Sequence, residues 1–132
     1  MIVLDTHVFV WQVAGETKKL SRKARQALQQ HGKRNELIIS SVTVFEIATL
    51  ERRGRLRFNI SASEWLEQVR QLPEYRIEPL TDDIAERAGQ FGEAFPGDPA
   101  DRVIAATALL RGVPLVTHDE KLHGIEHLKT IW

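Results

Sequence analysis

The stretch GDPADRVIAATALLRGVPLVTHDEKL, residues 97–122, leaves the chain few ways to fold. Asp98 stands at the N-cap of a helix and Pro99 at its first position, where a missing N–H costs nothing. Val103 to Leu110 is almost wholly apolar, so this helix is expected to be buried on most sides. Gly112 ends it, and Pro114 keeps it from restarting. Val113 to Thr117 then reads as a short strand, with Asp119 just beyond its end. A helix of about eleven residues descends roughly 16 Å. A strand of about five residues climbs back roughly 16 Å. Asp101, in the first helical turn, and Asp119 are therefore expected at one edge. In an open parallel sheet, ligands bind at that edge, outside the carboxyl ends of the strands.

The rest of the chain points to the same architecture. Ile2, Val3 and Leu4 form a continuous apolar run, as a central parallel strand covered on both faces requires. Asp5 ends that strand, and Thr6 is placed to cap a helix running to about Ala14. This helix carries Val8, Phe9, Val10, Trp11 and Val13 and is apolar nearly all round. One core is not expected to cover it, so Phe9 and Trp11 are candidates for contact with a partner chain. Ser21 to Gln30 reads as a basic helix with Ala24, Ala27 and Leu28 inward, and Leu37 to Ile39 as a strand. Ser41 to about Arg53 is a helix closed by Gly54, and Ser61 or Ser63 caps another through Leu72, before Pro73. Tyr75 to Glu78 alternates apolar with charged, an outer strand that Pro79 ends. Thr81 caps a helix to about Phe91, and Leu128 to Trp132 reads as an edge strand. Strands alternating with helices predict a single domain over residues 1–132. It should be a doubly wound α/β/α sandwich with a mainly parallel sheet of four to five strands.

Composition narrows the class. No apolar run is long enough to span a bilayer. Met1 leads straight into an apolar strand with no basic segment before it, so no secretory signal is expected. There is no cysteine, which excludes disulfides and thiolate metal sites and makes a cytoplasmic location the expectation. Net charge is +0, so any nucleic-acid binding must use local patches. The basic runs Lys18 to Arg25 and Arg52 to Arg57 are such patches, or simply solvated faces.

Four acids converge on the predicted edge. Asp5 ends the first strand, and Glu46 lies about one and a half turns into the helix after the second. Asp101 opens the penultimate helix, and Asp119 follows the fourth strand. Carboxylates held together in a crevice repel one another, and a hard divalent cation is the usual remedy. All-oxygen ligands suit Mg²⁺ or Mn²⁺. A metal so placed activates water and steadies the charge of a phosphodiester displacement. Arg102, beside Asp101, is the best-placed cation for substrate or for balancing the acids. His7 and His118 flank two of the acids and suit supporting roles. His31, His123 and His127 are expected at the surface or in packing.

Simpler readings stand beside these. Asp98 reads as a helix cap rather than a ligand, and Asp101 as a first-turn acid favoured by the helix dipole. Thr43-x-x-Glu46 also fits a capping box. Asp119 also suits a cap for the Glu120–Leu122 turn, which does not preclude ligation.

Four segments together carry a resemblance to a known family. LDTH at residues 4–7, the acid in SSVTVFEIATL, DPADRVIAATAL and LVTHDEKL resemble the PIN-domain nucleases. Within that family they are most similar to the VapC-like ribonuclease toxins of bacterial type II toxin–antitoxin pairs. The likeness covers essentially the whole chain in order. It implies metal-dependent RNA cleavage by Asp5, Glu46, Asp101 and Asp119, leaving a 5′-phosphate and a 3′-hydroxyl. It also implies an antitoxin partner and a homodimeric toxin. The hydroxyls of Thr6 and Thr117 match positions that support the acids or bound water. The family often carries a larger aromatic where Ala100 stands, and a basic or small residue where His118 stands. These departures bear on packing and substrate contacts.

Two other classes compete with an RNA-cleaving enzyme. A phosphoaspartate phosphatase needs a second acid two residues after the first, where His7 stands. A receiver needs paired acids after its first strand and a lysine after its last core strand, and LDTH and VTHDE lack both. A catalytically inactive PIN binding module would have no need of four acids together.

Overall fold

The computed structural model describes residues 1–132. Five strands form one sheet: β1 (Ile2–Leu4), β2 (Leu37–Ser40), β3 (Tyr75–Glu78), β4 (Leu115–Val116) and β5 (Thr130–Ile131). Their order is β3-β2-β1-β4-β5, and every pairing is parallel. Six helices connect or flank them: α1 (Thr6–Val13), α2 (Arg22–Gly32), α3 (Ser41–Arg52), α4 (Ala62–Arg70), α5 (Asp82–Gln90) and α6 (Pro99–Arg111). This is the doubly wound α/β/α sandwich that the sequence predicts, with the sheet parallel throughout.

The inner strands are apolar without alternation because helices cover both faces. Ile2, Leu4, Leu37, Ile39 and Val116 pack into one core with Val8 and Phe9 of α1, Leu28 of α2 and Leu66 of α4. Val3, Ile38 and Leu115 point the other way and meet Ile104, Ala105 and Ala108 of α6. Small side chains let α6 sit close to its neighbours on two sides. Ala106 faces Ile84 and Ala88 of α5, which forms the outer layer there. Burial of α6 runs from Ile104 to Ala108, and Leu110 is 47% exposed, so the apolar run outlasts the covered face. Gly112 closes α6 at φ 66°, a left-handed position that favours glycine.

The winding places the site. The chain steps outward from β1 through β2 to β3, then α5 and α6 carry it back to β4 on the far side of β1. Direction therefore reverses between β1 and β4, and the segments leaving these two strands diverge around a crevice. Asp5 follows β1 and Asp119 follows β4.

Several boundaries differ from the sequence reading. The Val113–Thr117 segment pairs as a strand only at Leu115–Val116, although the Thr117 N–H still donates to the Ile131 carbonyl at 3.2 Å. The C-terminal edge strand shrinks to Thr130–Ile131, because pairing lasts only as long as its partner strand. Helix α4 ends at Arg70, before Leu72, and Thr17–Lys19 forms a 3₁₀ turn. Thr6 does not cap α1. Asp5 is the cap, accepting the Thr6 N–H on Oδ1 at 2.8 Å, while Thr6 is the first helical residue and is buried.

The expectation that α1 needs a second partner is also corrected. Phe9 is 1% exposed and stands edge-on to Trp65 and Tyr75 at ring distances of 5.6 and 5.2 Å. Rings from α4 and β3 thus cover α1 at Phe9. Phe9 has no surface for a partner chain, whereas Trp11 is only half-buried.

Candidate functional site

A cavity of about 670 Å³ opens at the carboxyl edge of the sheet. Asp5, Glu46, Asp98, Asp101 and Asp119 all line it, with Thr6, His7, Trp11, His118 and Lys121 among their neighbours. The structure therefore brings together all four acids expected there and adds Asp98 and Glu120.

Each carboxylate is held by its own chain. Asp5 Oδ1 accepts the Thr6 N–H, and its Oδ2 accepts the buried Thr117 hydroxyl at 2.6 Å. The same Thr117 oxygen accepts the Asp119 N–H at 3.0 Å, so one threonine ties the ends of β1 and β4 together. Asp119 Oδ1 in turn accepts the Lys121 N–H at 3.0 Å and caps the 3₁₀ turn Glu120–Gly124. Asp98 and Asp101 form a reciprocal capping box at the start of α6. Asp98 Oδ1 accepts the Asp101 N–H at 2.9 Å, and Asp101 Oδ2 accepts the Asp98 N–H at 3.2 Å.

Glu46 is set differently. The Thr6 hydroxyl donates to its Oε1 at 2.5 Å, and the Thr6 and Thr43 oxygens lie 3.0 Å apart. Thr6 has one hydroxyl proton, so Thr43 supplies the proton between the two threonines. The capping box read from Thr43-x-x-Glu46 is overturned. Ser40 caps α3 by accepting the Val42 N–H, and Thr43 is buried within the first turn.

Crowding shows in the electrostatics. Asp101 is pushed up to about 7, first by burial and then by the charges of Asp98, Asp5 and Glu46. Glu46 is raised too, chiefly by burial, while the Thr6 hydroxyl opposes the rise. No three of these side chains stand at metal-ligand spacing, and each accepts from a donor nearby. The set nevertheless has the chemistry of a hard-cation site. It is all oxygen, and its charges repel in a way that bound Mg²⁺ or Mn²⁺ would relieve.

Arg102 does not face the acids. Its guanidinium donates to the Phe91 and Gly92 carbonyls at 2.8 and 3.1 Å and lies over the Phe95 ring at 5.0 Å. Successive residues on a helix point about 100° apart, so Arg102 turns away from the side that Asp101 presents. It braces the segment leading into α6 instead.

Other contributors went unread in the sequence. A Cβ on Gly97 would lie 2.5 Å from Asp101 Cβ and 2.8 Å from Phe95 Cε1, so only glycine allows that approach. The His123 Nε2–H donates to the Thr117 carbonyl at 2.9 Å and steadies the residue that orients Asp5. For Asp98 a signal existed: Asp98-x-x-Asp101 has capping-box spacing, which puts both acids in one turn.

A strand order with its reversal between β1 and β4, and acids gathered over that reversal, describe a known class. The chain belongs to the PIN-domain family, whose model matches residues 2–128. It is 36% identical over 133 residues to Ribonuclease VapC22 of Mycobacterium tuberculosis, across 99% of this chain and 98% of that protein. Two solved complexes share the fold at lower identity. The DNA-bound VapBC of Salmonella typhimurium superposes with a TM-score of 0.70 at 18% identity, covering 98% of this chain and 95% of that one. VapBC2 of Rickettsia felis, bound to a fragment of its promoter DNA, gives 0.66 at 19% identity, covering 98% and 97%. No helix of the chain is long and apolar enough to cross a membrane.

Proposed function

We propose that this chain is a Mg²⁺- or Mn²⁺-dependent endoribonuclease, the VapC-like toxin of a type II toxin–antitoxin pair. The observation that carries the reading is the convergence of Asp5, Glu46, Asp101 and Asp119 on one cavity at the sheet's reversal point. These four carboxylates would hold the cation. Once bound, it would supply a polarised water and offset charge on the phosphodiester. Thr117 and Thr6 fix the directions of Asp5 and Glu46 before substrate arrives. Asp98 caps α6, keeps Asp101 in place, and adds negative charge beside it. Asp101 serves as a ligand in its ionised form. Lys121, on the cavity wall, suits a substrate phosphate.

The partner reading rests on the relatives. One is a ribonuclease by name, and the solved neighbours are toxin–antitoxin complexes. A cognate antitoxin, a homodimer, a single functional domain and a cytoplasmic location belong to the same proposal. A receiver-like alternative loses ground, since its sheet order is 2-1-3-4-5 rather than β3-β2-β1-β4-β5.

The test is cleavage of RNA by purified protein with Mg²⁺, with Mn²⁺ and with EDTA. Metal-dependent cuts that leave 5′-phosphate and 3′-hydroxyl ends are expected. Cleavage that persists in EDTA, or 2′,3′-cyclic phosphate ends, would overturn the mechanism.

A further inference from the structure

One wall of the acid cavity is aromatic. The His118 imidazole stands edge-on to Trp11 at 5.9 Å and to Trp132 at 5.0 Å, and the two indoles lie 6.3 Å apart. His7 adds a fourth ring, 5.9 Å from Trp11. Trp11 and His118 both line the cavity with the acids. The rest of that lining is polar apart from Val8, so these rings are the broadest flat surface a ligand there can meet.

Their placement relative to the acids is fixed by the chain. His118 sits between Thr117, which orients Asp5, and Asp119. Trp11 projects from α1, whose cap is Asp5 itself. His118 is exposed and Trp11 half-buried, so neither ring is used up in the core. Lys121 lines the cavity and puts one cation in an otherwise acidic pocket, while Lys19, 5.9 Å from the Trp11 ring centre, is paired with Glu16.

Flat rings beside a phosphodiester-binding site suit one kind of contact. Bases in a duplex are stacked on each other, but in single strands they splay out and stack on aromatic side chains. We infer that Trp11 and His118 form a stacking wall for a base of single-stranded RNA whose phosphodiester lies at the acids. The inference rests on the ribonuclease reading and adds a specificity element to it. The two rings are substrate-binding residues, and the four acids carry the chemistry.

The test uses steady-state cleavage of a single-stranded oligoribonucleotide in Mg²⁺, with the cut mapped on wild-type protein. The same oligomer is made with an abasic residue on either side of the cut. Trp11→Leu should raise KM about tenfold with little change in kcat, the size of one lost base–aromatic stack. Trp11→Phe should recover most of the loss. One abasic position should cost wild type a similar factor and cost Trp11→Leu little. The Mg²⁺-induced rise in Tm should be the same in Trp11→Leu as in wild type. Equal abasic penalties in both proteins, or no penalty in wild type, would overturn the stacking wall. So would an intact KM in a Trp11→Leu variant that has lost antitoxin binding, which would assign the rings to a protein partner. If Trp11→Leu fails to fold, the absence of any abasic penalty in wild type still overturns the wall, and Trp11→Phe carries the comparison. A wild-type chain that cuts no RNA in Mg²⁺ refutes the ribonuclease reading first, and this inference with it.

Discussion

The Thr117 hydroxyl donates to Asp5 Oδ2 at 2.6 Å, across 112 residues of sequence. Because the Thr117 Oγ1 also accepts the Asp119 N–H, it links acids that leave neighbouring strands. Thr117→Val keeps the shape and removes both bonds. A hydrogen bond to a charged group contributes about 1.5–3 kcal/mol, so a loss of that order is expected. Urea unfolding without metal measures it, and Thr117→Ser should restore most of the stability.

Gly97 and Gly89 make an opposed pair. Gly97→Ala forces a Cβ to within 2.5 Å of Asp101 Cβ, so Asp101 or Phe95 must move. Overpacking of this kind costs about 1–3 kcal/mol, and RNA cleavage should fall with it. Gly89 lies within α5 with nothing within 4 Å of an added Cβ. Gly89→Ala should stabilise by about 0.5–1 kcal/mol with cleavage unchanged. Thermal unfolding and a cleavage assay on the two variants check both directions.

Stability without metal should fall as pH rises toward neutrality. Folding lifts Asp101 from the ordinary aspartate range to about 7. Between about pH 4 and pH 7 the native state therefore keeps a proton that the unfolded chain has lost. Raising the pH through that window favours unfolding, and the effect of this group is complete above pH 7. Glu46 acts in the same direction. Asp101→Asn keeps an oxygen for the Asp98 N–H but cannot ionise. The wild-type minus Asp101→Asn difference in Tm should become more negative from pH 4 to pH 7, and a pH-independent difference would contradict this.

Arg102→Gln separates a brace from a substrate contact. Glutamine cannot reproduce the two-pronged bond to the Phe91 and Gly92 carbonyls, and it removes the charge that a phosphate contact would need. A stability loss of about 1–3 kcal/mol is expected. The salt dependence of RNA binding should not change, since the guanidinium does not face the cavity. Denaturant midpoints and a salt titration of RNA binding read the two effects apart.

What the sequence reveals here depends on the distance over which each feature is decided. Asp101 and Asp119 could be placed on one edge because a helix and a strand of known rise lie between them, all within residues 97–122. Asp98 as a cap and Gly112 as a stop are equally local. The direction of Arg102 was not legible, since it depends on where the Phe91 and Gly92 carbonyls lie. The burial of Phe9 depends on Trp65 and Tyr75, which only the fold brings near. Glu46 illustrates both sides. Its depth in α3 was readable, but the true cap was Ser40, and the Thr43–Thr6 relay that holds Glu46 joins two helices.

The proposed metal site is tested most directly by the Mg²⁺-induced shift in Tm of wild type, Asp101→Asn and Asp83→Asn. Asp83 is an exposed acid on α5, outside the cavity, and serves as the control. Binding to the native state alone stabilises by RT ln(1 + [Mg²⁺]/Kd), about 2.7 kcal/mol at one hundred times Kd. A single metal site requires a clear rise in Tm for wild type and Asp83→Asn. Asp101→Asn should show little rise, though without metal it should be as stable as wild type or more so. An Asp101→Asn protein that keeps the full Mg²⁺ shift would contradict the site.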